Sequence, residues 1–256
     1  MREDKAMRQL IAGNWKMNGV SASLAVVDAI RLAMTAKTLS ADLLVCPPAT
    51  LIARAAAASA GIVAIGGQDC HAEASGAFTG DFSAEMLRDA GASAVIVGHS
   101  ERRRYHRETS AQVAAKVRAA WRAGLLAIVC IGETEAERLE GGALRVCSDQ
   151  LGESVPDRAD AGNIAVAYEP VWAIGTGSTP SGSEIADMHR KIRTCLLERH
   201  GAPASAIRIL YGGSVNSGNA GEILKLPSVD GALVGGASLR AEEFLAIAAR
   251  ATAAGQ

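Results

Sequence analysis

Aromatic residues are scarce in this chain of 256 residues, at 4% of the sequence, although hydrophobic residues make up 49%. A core with so few aromatic rings must be built from alanine, valine, isoleucine and leucine. That composition is typical of helices packed on a buried parallel sheet, whose strands read as short aliphatic runs. No apolar run approaches the roughly 20 residues that a membrane-spanning helix needs, so we expect no membrane partner.

An excess of charge of one sign is also missing, since 26 basic residues stand against 27 acidic ones for a net charge of −1. This balance argues against nucleic acid or an anionic membrane as the main partner. The five cysteines form no Cys-x-x-Cys pair and are odd in number, which indicates a reducing compartment without disulfides. The polar segment Met1–Gln9 resembles neither a signal peptide nor a membrane anchor. We therefore expect a soluble, cytoplasmic protein.

Short aliphatic runs recur along the chain, each followed by a loop and an amphipathic stretch. Eight are predicted as strands: Leu10–Gly13, Leu43–Cys46, Val63–Gly66, Ala94–Val97, Leu126–Cys130, Ile164–Tyr168, Ile207–Tyr211 and Gly231–Val234. Eight strand–helix units predict a single (β/α)8 barrel with a closed, parallel, eight-stranded sheet, spanning residues 10–256 after a short extension at residues 1–9. The alternative, an open doubly wound sheet, usually carries a Gly-x-Gly-x-x-Gly motif after its first strand, which is missing here.

Capping signals mark the starts of three predicted helices. A hydroxyl side chain is followed three residues later by an amide or carboxylate at Thr109 with Gln112, Thr134 with Glu137, and Ser181 with Glu184. Such pairs satisfy two free backbone N–H groups at a helix start.

The active site of such a barrel lies at the carboxyl ends of its strands. The residues delivered there include a lysine, a histidine and carboxylates: Asn14 and Lys16 after the first strand, His99 and Glu101 after the fourth, and Glu169 after the sixth. The seventh strand ends in Gly212-Gly213-Ser214 and the eighth in Gly235-Gly236. Two glycine-rich turns at adjacent strand ends favour a phosphate site, because they let backbone N–H groups approach an anion.

Glu169 and His99 suit proton transfer next to a carbonyl group. A carboxylate at a strand end can remove the proton, while a neighbouring imidazole polarises the carbonyl oxygen. Lys16 can supply positive charge to an anionic substrate and to the developing oxyanion. The structural alternatives are a salt bridge at the barrel mouth for Glu169, a helix cap for His99 and a solvated surface position for Lys16.

The segment after Glu169 reads as a lid. Residues 170–177 have an apolar middle, a proline at one end and glycines at the other. A closed lid excludes water and protects a reactive enediolate that could otherwise eliminate phosphate. A packed connection is the alternative reading.

Five segments together resemble the triosephosphate isomerase family, in its bacterial form. They are residues 13–19 (GNWKMNG), 97–103 (VGHSERR), 167–177 (AYEPVWAIGTG), 211–216 (YGGSVN) and 233–239 (LVGGASL). They occur in order, and the resemblance runs from about Leu10 to Phe244.

This resemblance implies interconversion of dihydroxyacetone phosphate and D-glyceraldehyde 3-phosphate, in glycolysis and gluconeogenesis, without metal or cofactor. It assigns Glu169 as the base, His99 as a neutral electrophile, and Lys16 with Asn14 as contacts of the substrate and oxyanion. It assigns Glu101 a supporting role, in which it holds other site residues without contacting the substrate. Four further residues are assigned to the phosphate: Gly175, Ser214, Gly235 and Gly236.

The resemblance also implies a homodimer, formed through the loop Ser75–Gly80, with Thr79 bracing the partner's site. The sequence departs from the family pattern at Ser178 to Gly182, at the hinge that follows the predicted lid. We expect these changes to alter the rate of lid closure and not the chemistry.

Three competing functions stay open. They are an isomerase of a related ketose such as a tetrulose phosphate, a metal-dependent phosphosugar epimerase, and a catalytically inactive scaffold.

Overall fold

Eight parallel strands close into a barrel in the computed structural model, which describes residues 7–36, 38–174 and 179–251. The strands are β1 Gln9–Asn14, β2 Ala41–Cys46, β3 Ala64–Gly67, β4 Ala94–Val97, β5 Leu126–Ile131, β6 Ile164–Tyr168, β7 Arg208–Tyr211 and β8 Gly231–Val234. Each strand pairs with its neighbours in chain order, and β1 pairs with β8 to close the sheet. The predicted (β/α)8 barrel is confirmed, and the open doubly wound sheet is wrong.

Strand β1 begins one residue inside the segment that the sequence suggested as an extension. Gln9 is buried because its side-chain amide donates to the carbonyl oxygens of Leu224 (2.8 Å) and Val229 (3.0 Å). Arg8 donates to the carbonyl oxygens of Leu39 and Ala41. A polar side chain can therefore start a buried strand when backbone acceptors face it.

Ten α-helices lie among the described residues. They are α1 Leu24–Ala36, α2 Ile52–Ser59, α3 Ala84–Asp89, α4 Ser100–Tyr105, α5 Ser110–Arg122, α6 Glu135–Leu139, α7 Ala143–Ser154, α8 Gly182–His200, α9 Ala220–Ile223 and α10 Ala241–Ala248. Short 3-10 helices occur at Ser21–Ser23, Ala49–Leu51, Val171–Ala173, Ala202–Ala206 and Gly236–Leu239. The described part of the chain contains no helix with the length and apolar character needed to cross a bilayer.

The three predicted capping boxes are confirmed. Thr109, Thr134 and Ser181 each accept a hydrogen bond from the backbone three residues on, and the side chain at that position accepts from the cap in return. These local signals set where α5, α6 and α8 begin.

Apolar side chains fill the sheet on both faces, as expected of a closed parallel sheet. In β5, Ile128 and Cys130 belong to the cluster inside the barrel, whereas Ala127, Val129 and Ile131 pack under the helices. The interior is therefore a packed core, and functional side chains have room only at the strand ends.

Candidate active site

A cavity of about 370 Å³ opens at the carboxyl ends of the strands. It brings together seven of the predicted site residues: Asn14, Lys16, His99, Glu169, Ser214, Gly235 and Gly236. Glu101 stands behind this lining, in contact with Lys16. Gly175 lies outside the described residues.

A larger cavity, of about 600 Å³, opens at the amino ends of the strands beside α1 and α2. Its charged lining residues are Arg8, Asp42 and Arg208. Both guanidinium groups lie 3.1 Å from the Asp42 carboxylate, so the charges there are already paired. The 600 Å³ cavity contains none of the predicted site residues, so we take the 370 Å³ cavity as the candidate active site.

Glu169 and His99 form a buried pair in the cavity. Glu169 follows β6 directly and is 2% exposed, and His99 follows β4 and is 5% exposed. His99 Nε2 lies 2.9 Å from Glu169 Oε1, and the backbone N–H of Ser100 donates to Glu169 Oε2 at 2.8 Å. The polar partner of Glu169 at the barrel mouth, which the structural alternative called for, is thus the other candidate catalytic group, His99.

Burial and charge act in opposite directions on this pair. Burial alone raises the pKa of Glu169, but His99 and the Ser100 N–H favour the carboxylate, and the pKa is lowered overall. Burial likewise lowers the pKa of His99, yet the charge and hydrogen bond of Glu169 outweigh it and raise the pKa. At neutral pH Glu169 is therefore ionised, as a base must be.

The position of His99 as the N-cap of α4 selects its tautomer. Its Nδ1 accepts a hydrogen bond from the backbone N–H of Glu101 at 3.2 Å. A ring nitrogen that accepts carries no proton, and a second proton on the ring would face this N–H group. The raised pKa of His99 favours a second proton, but the Glu101 N–H already occupies Nδ1, so on this geometry we assign the neutral form with the proton on Nε2, directed at Glu169. The helix cap and the catalytic position are one arrangement.

Lys16 reaches the cavity from a strained backbone. Its φ of 53° lies in the left-handed region, which non-glycine residues rarely adopt. The backbone is held there by Asn14 Oδ1, which accepts from the Lys16 N–H, and by Gln68, which donates to the Lys16 carbonyl oxygen. The Lys16 ammonium group lies 2.7 Å from Glu101 Oε1. These contacts direct the cation toward the substrate space.

The glycine-rich turns allow the chain to approach the base closely. A Cβ atom on Gly212 would lie 2.9 Å from Glu169 Cγ, and one on Gly213 would lie 2.2 Å from the Tyr211 hydroxyl oxygen. Neither glycine has a positive φ, so close packing is the requirement here. Ser214, Gly235 and Gly236 line the adjoining part of the cavity.

A buried carboxylate lies behind the first turn of the predicted lid. Glu133 is fully buried and accepts hydrogen bonds from the Tyr168 hydroxyl (3.1 Å) and the Trp172 indole N–H (2.8 Å). Arg138 lies over the Trp172 ring at 4.4 Å. The lid's described part forms the 3-10 helix Val171–Ala173, and residues 175–178 lie outside the described ranges.

Two residues that hold candidate catalytic groups in place were not predicted from the sequence. Ser100 acts through its backbone N–H, which leaves no residue-type signal. Gln68 follows β3 and donates to the carbonyl oxygens of Lys16 and Cys46. Its place at a strand end was the available signal, because barrel side chains at that edge face the site.

Across residues 7–36, 38–174 and 179–251, no cluster of three or more histidine, cysteine, aspartate or glutamate side chains is arranged to hold a metal ion. In the cavity His99 contacts Glu169, and behind the lining Glu101 contacts Lys16.

Known proteins resemble this chain over nearly its whole length. The family model for triosephosphate isomerase matches residues 9–251. The triosephosphate isomerase of Afipia carboxidovorans is 62% identical over 243 residues, covering 94% of this chain and 97% of the relative. That of Rhodopseudomonas palustris is 59% identical over 247 residues, covering 95% and 98%. The crystal structure of triosephosphate isomerase from Bartonella henselae superposes with a TM-score of 0.89 at 47% identity, covering 95% and 98%.

Proposed function

Because the chain belongs to the triosephosphate isomerase family, we propose that it interconverts dihydroxyacetone phosphate and D-glyceraldehyde 3-phosphate, with Glu169 as the base. The observation that carries this proposal is the buried pair of Glu169 and His99, whose Oε1 and Nε2 atoms lie 2.9 Å apart in one cavity. The reaction would link the two triose phosphates in glycolysis and gluconeogenesis.

Each group has a defined task in this reaction. Glu169 removes the proton from the carbon next to the carbonyl group, and the bonding electrons move to the carbonyl oxygen to form an enediolate. His99 donates its Nε2 proton to that oxygen and takes the proton of the neighbouring hydroxyl group. Glu169 then returns its proton to the other carbon. Atoms and electrons balance within the substrate, so the reaction requires no redox partner.

Lys16 and Asn14 bind the substrate and stabilise the developing oxyanion. The Lys16 cation offsets negative charge that appears on the substrate oxygen in the transition state. Glu101 keeps Lys16 in place through its 2.7 Å ion pair. Ser214, Gly235 and Gly236 bind the phosphate, and Gly175 is proposed for the same role from the family pattern alone.

A tetrulose phosphate is the competing substrate, because the same proton transfer would serve it. The relatives named triosephosphate isomerase favour the triose. The test is kcat/KM for D-glyceraldehyde 3-phosphate and for the tetrulose phosphate, after treatment of the enzyme with a chelator. A preference for the triose is expected, whereas a higher kcat/KM for the tetrulose would overturn this substrate, and loss of activity with the chelator would overturn the cofactor-free mechanism.

We further propose a homodimer formed through the loop Ser75–Gly80. Every residue of this loop is exposed, and Phe78 is 43% exposed although its ring stacks on His71 at 4.0 Å. Met17, next to Lys16, is 97% exposed, which leaves an apolar side chain beside the site for a partner to cover. Specific activity should fall on dilution as dimers dissociate. Full activity in a demonstrated monomer would contradict this assembly.

A cytoplasmic location is proposed on the state of the cysteines. All five are free thiols, and four of them are buried. Unpaired thiols are typical of a reducing compartment. Fractionation of cells that produce the protein would test this location.

A further inference from the structure

The side chain of Gln150 pairs with the backbone of one residue near the active site. Gln150 lies in α7, and its Oε1 accepts from the Gly132 N–H at 2.9 Å while its Nε2 donates to the Gly132 carbonyl oxygen at 3.0 Å. The amide therefore satisfies both backbone groups of Gly132, as a neighbouring strand would.

Gly132 needs this support because its strand neighbour has ended. The register between β4 and β5 stops at the pair Val97 and Val129, three residues before Gly132. Beyond that point side chains take over from the strand: Arg103 donates to the Cys130 carbonyl oxygen, and Gln150 pairs with Gly132. Without them, backbone groups at a buried strand end would lose their partners.

On its other side, Gly132 lies directly against the backbone of Glu169. A Cβ atom on Gly132 would stand 1.7 Å from the Glu169 carbonyl oxygen. The residues flanking Gly132 continue the contact, because the Glu169 N–H donates to Ile131 (2.8 Å) and the Val171 N–H donates to Glu133 (3.1 Å). The placement of Gly132 therefore sets the placement of Glu169.

We propose that Gln150 is a positioning residue for the base, acting through Gly132. This inference rests on the proposed function, in which Glu169 removes the proton. Gln150 does not line the 370 Å³ cavity, and its hydrogen-bonded route to Glu169 runs through the backbone of Gly132. An error of about 1 Å in the position of a reacting group can cost about a hundredfold in rate.

The chain offers a matched control at the opposite end of β6, the strand that Glu169 follows. Just before β6, the Asn163 side chain also makes two backbone hydrogen bonds, accepting from the Asp160 N–H (2.9 Å) and donating to the Arg158 carbonyl oxygen (3.0 Å). Gln150→Met and Asn163→Leu each remove a doubly bonded amide and keep its approximate size. Only the first should affect the base.

The experiment compares kcat and KM for D-glyceraldehyde 3-phosphate, per folded molecule, in these two variants and the wild type. Gln150→Met should lower kcat about 10- to 100-fold, with KM changed less than about threefold because binding groups are untouched. Asn163→Leu should keep kcat within about twofold of the wild type.

A second variant, Gln150→Glu, gives a readout that lost stability alone would not move. A protonated carboxyl group can accept from the Gly132 N–H and donate to its carbonyl oxygen, whereas a carboxylate repels that oxygen. Partial burial and the facing Gly132 carbonyl oxygen should raise the pKa of this carboxyl group above its ordinary value of about 4.3, so the ratio of its kcat to that of the wild type should rise as the pH falls from about 8 to about 5. This ratio decides the question if Gln150→Met does not fold.

Two results would overturn the inference: wild-type kcat in Gln150→Met, or a Gln150→Glu ratio that does not change with pH. Glu169→Asp, assayed in parallel, separates the inference from the function on which it rests. If the wild type is inactive or Glu169→Asp is harmless, the proposed function fails. If the wild type is active and Glu169→Asp is impaired, either overturning result removes the role of Gln150 alone.

Discussion

His99 Nε2 lies 2.9 Å from Glu169 Oε1, so the proposed electrophile and the proposed base are hydrogen-bonded to each other. His99 favours the ionised form of Glu169 that proton removal needs, whereas the neutral form of His99 is favoured by the Glu101 N–H that binds its Nδ1. The pair must separate for Glu169 to reach a substrate carbon, and the charge balance of both groups changes when it does.

Removal of the imidazole should raise the pKa of Glu169. Burial raises this pKa and His99 lowers it, so His99→Ala leaves burial less opposed. The acid limb of the kcat/KM profile should move to higher pH, along with a loss of activity of roughly 10²- to 10⁴-fold. His200→Gln, at the end of α8, is the control. An acid limb in His99→Ala at the wild-type pH would show that the pairing does not set the pKa.

A methyl group at Gly212 should displace the base without unfolding the barrel. The added Cβ would lie 2.9 Å from Glu169 Cγ and 3.1 Å from the Tyr168 carbonyl oxygen, so the Glu169 side chain must shift, and φ presents no obstacle. We expect Gly212→Ala to lower kcat about 10- to 100-fold. Gly221→Ala in α9 meets only Arg250 Cδ at 3.7 Å and should be unaffected. Equal kcat values for the two variants would refute this account of the turn.

Neutralising Glu101 should remove the ion pair that holds the Lys16 ammonium group, while His99 keeps its hydrogen bond from the backbone N–H of Glu101 and loses only a carboxylate 3.7 Å from its Nδ1. We expect Glu101→Gln to reduce kcat/KM roughly three- to tenfold, a modest loss because the ion pair is partly exposed. Asp187→Asn breaks an exposed pair with Arg190 and serves as the control. A loss above a thousandfold would mean that Glu101 takes part in the chemistry directly.

Buried His189 should make stability depend on pH. Burial lowers its pKa to about 4, from the ordinary value of 6.5, and its Nδ1 lies 2.9 Å from the Ser228 carbonyl oxygen. The unfolded chain therefore binds a proton below pH 6.5 that the folded protein binds only near pH 4. As the pH falls through that window, this site should cost about 3 kcal/mol of the free energy of unfolding.

Urea unfolding of the wild type and His189→Asn at several pH values measures this contribution. The Asn side chain can donate to Ser228 but does not titrate. The difference between the two proteins should therefore change between pH 7 and pH 4. A constant difference would mean that His189 has an ordinary pKa in the folded protein.

The barrel was predictable because its signals are local. Aliphatic runs placed the strands to within about two residues, and hydroxyl side chains with a partner three residues on placed three helix starts. That the candidate site residues lie together was predictable because strand ends meet at one edge, whatever lies between them in the chain.

The supporting contacts were not predictable, because they join residues far apart in the sequence. Gln9 pairs with carbonyl groups more than 200 residues away, and Gln68 binds the Lys16 carbonyl oxygen across 52 residues. A glutamine has no pattern that identifies its acceptor, so the sequence shows it only as a polar residue. Backbone donors such as the Ser100 N–H exist at nearly every residue, and geometry alone selects the one that binds Glu169.

The most direct test of the central claim is the turnover of D-glyceraldehyde 3-phosphate by the wild type, Glu169→Asp and Glu198→Asp, in a coupled assay without added metal. Glu198 is exposed in α8 and makes the same chemical change away from the cavity. We predict that the wild type and Glu198→Asp are active and that the kcat of Glu169→Asp is lower by about two orders of magnitude or more. The reason is that the shorter side chain withdraws the carboxylate by about 1 Å. Wild-type kcat in Glu169→Asp, or an inactive wild type, would contradict it.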